Sequence, residues 1–284
     1  MRSARARLRA LSAAVAVALC ASGLATPAAA DDGPLASPPP PRAAPVPRSY
    51  PRSFGTYDGL VEYASGVAKE QQVLSDRLAS LTHRDDTTAA ALAAVLAPQD
   101  GGGLGGADAD LVDNPRTARL RSRLATDAAA RQQLVASGAL VRANVPWRMP
   151  LDGEITQGFG PTSEFFEPPL AYGGTVYAHF HAGTDIGAPW GSPIYAPAAG
   201  TVVFAGTMGD GAEVVVIAHD AGLVSMYAHL DNLVHPPTVK AGDAVQAGDQ
   251  IGYVGLTGIT TGPHLHWAVW RDGELIDPLS LIGS

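Results

Sequence analysis

The stretch Gly262-Pro263-His264-Leu265-His266-Trp267 carries the most informative pattern in the chain. Side chains two residues apart on a β-strand point to the same face, so a strand here places His264 beside His266 and turns Leu265 to the opposite face. Two imidazoles on one face can provide two metal ligands, or one ligand and one proton-handling group. Taken alone, the pair is also compatible with an ordinary polar strand face.

Two other segments add functional side chains to this pair. They read His179-Phe180-His181-Ala182-Gly183-Thr184-Asp185 and Tyr227-Ala228-His229-Leu230. A catalytic zinc site needs three protein ligands and leaves a fourth position for water, and neutral His and carboxylate both suit it. His181, Asp185 and one of His264 or His266 would supply that set. His229 and the remaining His could then accept a proton or stabilise an oxyanion.

The first 30 residues have the pattern of a secretory signal peptide. Arginines at positions 2, 5, 7 and 9 precede an apolar stretch at 11–24, and three alanines at 28–30 provide a small-residue cleavage site. The only cysteine, Cys20, lies inside this segment, and Leu19 before it argues against a lipid anchor. The mature chain would contain no thiol, so a metal would have to be held by His, Asp or Glu.

Charge and hydropathy exclude two classes of function. Residues 145–284 contain 3 basic and 14 acidic residues, a net charge of −11. A domain this acidic repels polyanions, so we expect no nucleic-acid partner, whereas excess carboxylate suits a dication. The longest apolar run lies in the predicted signal peptide and is short for a bilayer span, so no stable membrane insertion is expected after its removal.

The region between the signal peptide and the histidine-bearing half divides into two parts. Residues 31–56 form a Pro-rich linker, and residues 57–144 form a helical arm with a Gly-rich break. Apolar spacing predicts one helix from about Tyr57 to Leu81, which 89–96 either extends or follows as a new helix, and another from about Pro115 to Ser137. The two can form an antiparallel hairpin, either a packing arm or a contact for a cell-division or wall-hydrolase partner.

Residues 145–284 read as an antiparallel all-β domain, which makes the chain α+β overall. Short β-branched and aromatic runs alternate with turn residues, as is typical of such domains. Strands are predicted at 200–205, 212–219, 223–229, 250–254 and 264–270. His219 and His235, both beside turn residues, are expected at the surface.

The C-terminal half resembles the lysostaphin/LytM-type zinc metallopeptidases, which cleave peptide bonds in peptidoglycan. The matching segments are 181–189, 195–202, 227–230 and 260–266, in the family's order. The resemblance implies an antiparallel β core, with His181, Asp185 and His266 as zinc ligands and His229 and His264 as the catalytic pair. It also implies peptidoglycan peptides as substrates and a secreted, extracytoplasmic location at the cell wall.

Two features depart from the family pattern. Ala268 stands where relatives commonly have an acidic residue, and the longer 161–178 segment brings Phe165, Phe166 and Tyr172 to a place where they can line, narrow or plug the groove. The main alternative to an enzyme is a non-catalytic relative that binds the wall and activates a peptidoglycan amidase. Such proteins usually lose metal or catalytic positions, and all five are present here, which favours a secreted zinc-dependent endopeptidase.

Overall fold

The computed structural model describes residues 49–96, 114–136 and 146–283. The predicted signal peptide, most of the Pro-rich linker and the Gly-rich break lie outside these residues. The described helices are α1 (Tyr57–Leu96) and α2 (Pro115–Ala136), with a short 3-10 helix at Pro278–Leu281. The strands are β1 (Glu154–Gln157), β2 (Gly160–Pro161), β3 (Leu170–Tyr172), β4 (Thr175–Tyr177), β5 (Phe180–His181), β6 (Thr184–Gly187), β7 (Pro193–Tyr195), β8 (Gly200–Thr207), β9 (Glu213–His219), β10 (Leu223–Ala228), β11 (Ala244–Val245), β12 (Gln250–Tyr253), β13 (His264–Arg271) and β14 (Glu274–Ile276).

One antiparallel sheet holds most of the longer strands together. Its order is β1-β6-β13-β10-β9-β8-β11, with β14 paired to β13. Three two-stranded sheets, β12-β7, β2-β5 and β3-β4, complete the β structure of the described chain. The α+β fold class with a C-terminal antiparallel β domain is therefore confirmed.

The central sheet is buried on both faces, as the alternation along β13 shows. Leu265, Trp267 and Val269 point into a core shared with β9, β10, β7 and β12. Ala268 and Trp270 point to the other face, into a second core. The two histidines of β13 belong by their spacing to this second face, which α1 also covers.

Helix α1 packs on the sheet through its first four turns. Leu60, Ala64, Val67 and Ala68 are buried in the second core. Their spacing of four, three and one places them on a single helical stripe, which explains why this segment is both helical and docked. A buried hydrogen bond from Gln71 to Thr201 extends the contact.

The carboxyl-terminal half of α1 packs against α2. Leu78 and Leu81 form a small core with Leu134, and Arg84 forms an ion pair with Asp127. Contacts move forward along α1 as they move backward along α2, so the two helices form the antiparallel hairpin that the spacing allows. The helix predicted at 57–81 continues without interruption to Leu96, so 89–96 extends it. Neither described helix combines the length and hydropathy that a membrane-spanning segment requires.

The expectation that His219 lies at the surface is wrong. The side chain is only 2% exposed, its Nδ1 donates to the carbonyl of Ala199 at 2.8 Å, and its Nε2 accepts from the Ser225 hydroxyl at 2.7 Å. Burial lowers the pKa of His219 to about 4, so the ring is neutral and satisfied. The turn that follows His219 suggested exposure. The prediction failed because the sequence does not show that other residues cover this end of β9. His235 is exposed, as expected.

Replacing Leu60 by Ala tests whether α1 is part of the folded domain. We expect this change to lower the free energy of unfolding by about 3 kcal/mol, because it leaves a cavity between helix and sheet. Urea unfolding of the purified chain measures the change. The control is Leu96→Ala, at a side chain that is 38% exposed, with an expected change within about 0.5 kcal/mol. Equal losses in the two variants would show that α1 does not depend on the sheet.

Candidate metal centre and active site

Strand register brings three of the predicted site residues together. Asp185 on β6 pairs directly with His266 on β13, so the two side chains share one face of the sheet. His181 lies at the end of β5, four residues before Asp185. Gly183 lies between them, and a Cβ there would come within 2.7 Å of the His266 ring, so a glycine is needed for this close approach.

The donor atoms of these three side chains converge on one point. His181 Nε2 lies 3.1 Å from Asp185 Oδ1 and 3.1 Å from His266 Nδ1. His266 Nδ1 lies 2.9 Å from the same carboxylate oxygen. His181 and Asp185 are buried, and His266 is partly exposed. We call these three residues the donor triad.

A backbone carbonyl fixes which nitrogen of His181 can bind a cation. The Nδ1 of His181 lies 3.0 Å from the carbonyl oxygen of Gly158, which can only accept, so this nitrogen carries a proton. In the neutral ring the Nε2 therefore presents its lone pair to Asp185 and His266. A carbonyl that fixes the tautomer in this way is the usual outer support of a metal-binding histidine.

The triad stabilises positive charge at its centre. Burial raises the pKa of Asp185, but the adjacent His181 and His266 imidazoles, which donate to the carboxylate when they are protonated, outweigh it and hold this pKa well below its usual range. Burial also opposes a charged His181, yet the neighbouring carboxylate leaves the pKa of this imidazole raised. Both shifts have the direction expected where positive charge is favoured between the three side chains.

The geometry and chemistry of the triad fit a metal ion. The three donors could hold one ion together. Tetrahedral zinc with bonds of about 2.0–2.1 Å separates its ligand atoms by about 3.3 Å, close to the observed 2.9–3.1 Å. Two nitrogens and one carboxylate oxygen are also a donor set that zinc accepts in catalytic sites.

His229 joins the site through an unusual backbone conformation. It directly follows β10 and has φ of +65°, a left-handed value that is uncommon for residues other than glycine. Regular alternation after Ala228 would turn this side chain towards the opposite core. The left-handed residue breaks the alternation, so the His229 ring lies 4.8 Å from the ring of His264 and 6.1 Å from that of His266.

A backbone carbonyl also assigns the two nitrogens of the His229 ring. Its Nδ1 lies 2.8 Å from the carbonyl oxygen of Thr257 and donates to it, which leaves Nε2 as an acceptor. Burial lowers the pKa of His229 to about 4. The ring is therefore neutral near pH 7 and has a lone pair available on the site side.

His264 is the first residue of β13 and shares the sheet face of His266. Its Nδ1 donates to the carbonyl oxygen of Gly262 at 2.9 Å, and the Thr260 hydroxyl lies 3.2 Å from the same nitrogen. Its Nε2 lies 3.5 Å from Asp185 Oδ2. The five predicted site residues thus surround one small volume.

This volume opens into a groove of about 1760 Å³. Phe165 and Phe166, which the sequence places near the groove, line one wall and are largely exposed, while Ile259 lines another. Tyr172 also reaches the groove, but its ring packs on Phe180 with centroids 5.0 Å apart. Phe165 and Phe166 therefore line the groove and keep much of their ring surface exposed.

Beyond the two histidines of β13, the groove is lined by Ala268. It follows His266 by two residues on the same strand face and is fully buried in the core beneath α1. Met226 and Ala228 of β10 line the groove beside it. Where an acidic residue would bring a charge next to His266, this chain has a small apolar floor.

Sequence reasoning missed the carbonyl groups that orient the three rings. Gly158, Thr257 and Gly262 each accept a hydrogen bond from one histidine of the site. Every residue type has a backbone carbonyl, so the sequence does not show which carbonyls bind the histidines. Of the three, only Gly262 lies inside one of the sequence motifs that carry the site histidines. His179, adjacent to the triad in sequence, bonds instead to the carbonyl oxygen of Glu167.

The fold and the His-Asp-His centre define an antiparallel β domain with a candidate metal site. Residues 179–278 match peptidase family M23, and this part of the chain is an M23 domain.

Comparisons with individual proteins cover up to about half of the chain. The DD-carboxypeptidase/endopeptidase Mpg of Neisseria meningitidis is 39% identical over 101 residues, 36% of this chain and 22% of that protein. The peptidoglycan DD-endopeptidase ShyB of Vibrio cholerae is 35% identical over 135 residues, 46% of this chain and 29% of that protein. A crystal structure of a zinc-containing peptidase from Vibrio cholerae has 31% identity and a TM-score of 0.39, covering 47% of this chain and 39% of that one. The chain spans less than a third of the length of these two curated relatives.

Zinc titration tests whether the donor triad acts as one site. We expect one equivalent of Zn²⁺ to bind in calorimetry, and His266→Ala to weaken binding by about a hundredfold or more, because two ligands hold a dication poorly. His179→Ala is the matched control and should bind like the original chain. Loss of binding in both variants, or in neither, would contradict the assignment of the triad.

The close approach at Gly183 provides a second test that leaves all three donors in place. Gly183→Ala should weaken zinc binding by about tenfold to a hundredfold, because its methyl group would lie 2.7 Å from both the His266 ring and the Trp267 carbonyl oxygen. Gly262→Ala, where an added Cβ meets nothing within 4 Å, is the control and should leave affinity unchanged. Thermal unfolding of both variants separates a displaced ligand from a lost fold.

Proposed function

We propose that this protein is a secreted zinc-dependent endopeptidase that hydrolyses peptide bonds in the stem or cross-link peptides of peptidoglycan. The observation that carries the proposal is the donor triad of His181, Asp185 and His266 beside a neutral His229 whose Nε2 is free. The match to peptidase family M23 and the peptidoglycan activities named for the relatives agree with it.

In this proposal His181, Asp185 and His266 hold the zinc ion. Zinc held there would supply Lewis-acid chemistry: it would lower the pKa of a bound water towards 7 and polarise the scissile carbonyl. The protein contributes the rigidity of the site. The carbonyl of Gly158 holds His181 in the required tautomer, and strand pairing holds Asp185 opposite His266.

His229 and His264 handle the proton and the developing charge. With its Nδ1 bonded to the Thr257 carbonyl, the His229 ring can accept a proton at Nε2 and give it later to the leaving amine. His264 presents its Nε2 to the same volume, and its Nδ1 is bonded to the Gly262 carbonyl. In its protonated form this ring can donate to the oxyanion that forms from the scissile carbonyl.

Cleavage of isolated sacculi tests the proposal. Zinc-loaded mature protein should release new amino termini, and a chelator or His266→Ala should abolish the release because the site then holds no metal. His229→Ala should bind zinc normally but lower kcat by about a hundredfold to ten-thousandfold. Exposed His235 is the control, and His235→Ala should be fully active.

A contrary result would favour the non-catalytic alternative. Zinc-loaded protein that leaves sacculi intact by itself, but causes cleavage once a peptidoglycan amidase is added, would identify an amidase activator. In that case His229→Ala should activate as well as the original chain, because no proton transfer takes place in this site.

A further inference from the structure

Carboxylates line the groove beside the donor triad. Glu164 and Glu167 come from the segment before β3, Asp58 from the first turn of α1, Asp210 from the β8–β9 turn and Glu274 from β14. They belong to four separate elements, so the negative charge surrounds the groove and does not arise from one acidic segment. The Tyr57 hydroxyl bonds to the carboxylate of Asp210 at 3.0 Å and keeps this charge at the end of α1.

The cations of the domain are held elsewhere. Residues 145–284 contain three Lys or Arg residues. Lys240 pairs with Asp243 at 3.0 Å, and the Arg148 guanidinium lies beside Gly248. Arg271 lies five residues after His266 on β13, about 16 Å along the strand, where it pairs in register with Glu274 and does not itself line the groove. No Lys or Arg lines the groove within the described part of the chain.

The amino-terminal end of α1 does not replace the missing cations. Its helix dipole would attract an anion, but the Thr56 hydroxyl already accepts a hydrogen bond from the Gly59 amide at 3.1 Å. Asp58 in the first turn adds a negative charge at the same end. The field in this part of the groove is therefore unfavourable for a carboxylate.

The charge around the groove distinguishes two kinds of peptidase substrate. Removal of a C-terminal residue requires the enzyme to accept a free carboxylate next to the scissile bond, and proteins usually bind this group with Arg or Lys. Cleavage of an internal bond, as in a cross-link, places a neutral amide there instead. We infer that this groove selects peptides in which the group after the scissile residue is amidated or cross-linked, and that it disfavours a free C-terminal carboxylate. The inference rests on the proposed function and narrows its substrate class.

Two synthetic stem peptides that differ only at the C-terminus, carboxylate in one and carboxamide in the other, test this selection. For the zinc-loaded protein we expect kcat/KM for the carboxamide to be about tenfold higher at low ionic strength, because the carboxylate meets like charges. The ratio should shrink as salt is added, since exposed charges are screened over about 10 Å at 0.1 M. Equal kcat/KM values for the two peptides would overturn the inference while leaving the proposed function intact.

Charge changes at Glu164 locate the effect in the groove. Glu164 is exposed, so Glu164→Gln should reduce the ratio by about twofold, and Glu164→Arg should bring it close to one by supplying a cation. Asp86→Arg is the charge-matched control at an exposed site on α1 outside the groove, and it should leave the ratio unchanged. An equal effect of both Arg variants would assign the selection to net charge and overturn its location in the groove.

Calorimetric binding separates this inference from the proposed function. Both peptides are titrated into zinc-loaded His229→Ala, which should bind without cutting. Preferential binding of the carboxamide, even if the original chain cuts neither peptide, supports the groove selection and rejects the peptidase activity. Binding of the carboxylate as tight as or tighter than that of the carboxamide, or no binding of either peptide, overturns the selection.

Discussion

The site depends on the mutual approach of three electron-rich atoms within 3.1 Å. Lone pairs so close repel each other unless a cation lies between them, so the arrangement persists only on a rigid frame. The register of β6 against β13 provides that frame for Asp185 and His266, and the Gly158 carbonyl holds His181. A slip of one residue in this register would turn both histidines of β13 into the opposite core and remove the site.

One face of the sheet serves both stability and chemistry. At one end, α1 covers Ala268 and the neighbouring apolar residues of β10. At the other end, His264 and His266 of the same strand remain partly exposed beside the groove. The helical arm predicted as a separate segment therefore completes the hydrophobic core in its first half, while its second half forms the hairpin with α2. Ala268, Met226 and Ala228 lie where the two parts of this face meet, because they belong to the core beneath α1 and also line the groove.

Periodicity was sufficient wherever one local rule determines the structure. The i and i+2 spacing of His264 and His266 predicted their shared face, and the apolar stripe that begins near Leu60 predicted α1. Sequence periodicity failed where tertiary contacts determine the environment or the conformation of a residue. The buried environment of His219 comes from residues distant in sequence. The left-handed backbone at His229 could not be predicted from this residue type or from the residues beside it. The carbonyl of Thr257 is equally invisible, because every residue type has one.

Metal binding and substrate selection depend on charges at different distances and in different surroundings. The donor triad lies in a largely buried volume with direct contacts, where electrostatic interactions reach several kcal/mol and salt has little effect. The groove carboxylates are mostly exposed, and each interaction there amounts to about 1 kcal/mol or less and is readily screened. In the proposed function, the acidic character of the domain therefore acts weakly on the ion and mainly on the substrate. Asp185 belongs to both environments: it lines the groove, and its Oδ1 lies within 3.1 Å of His181 Nε2 and His266 Nδ1.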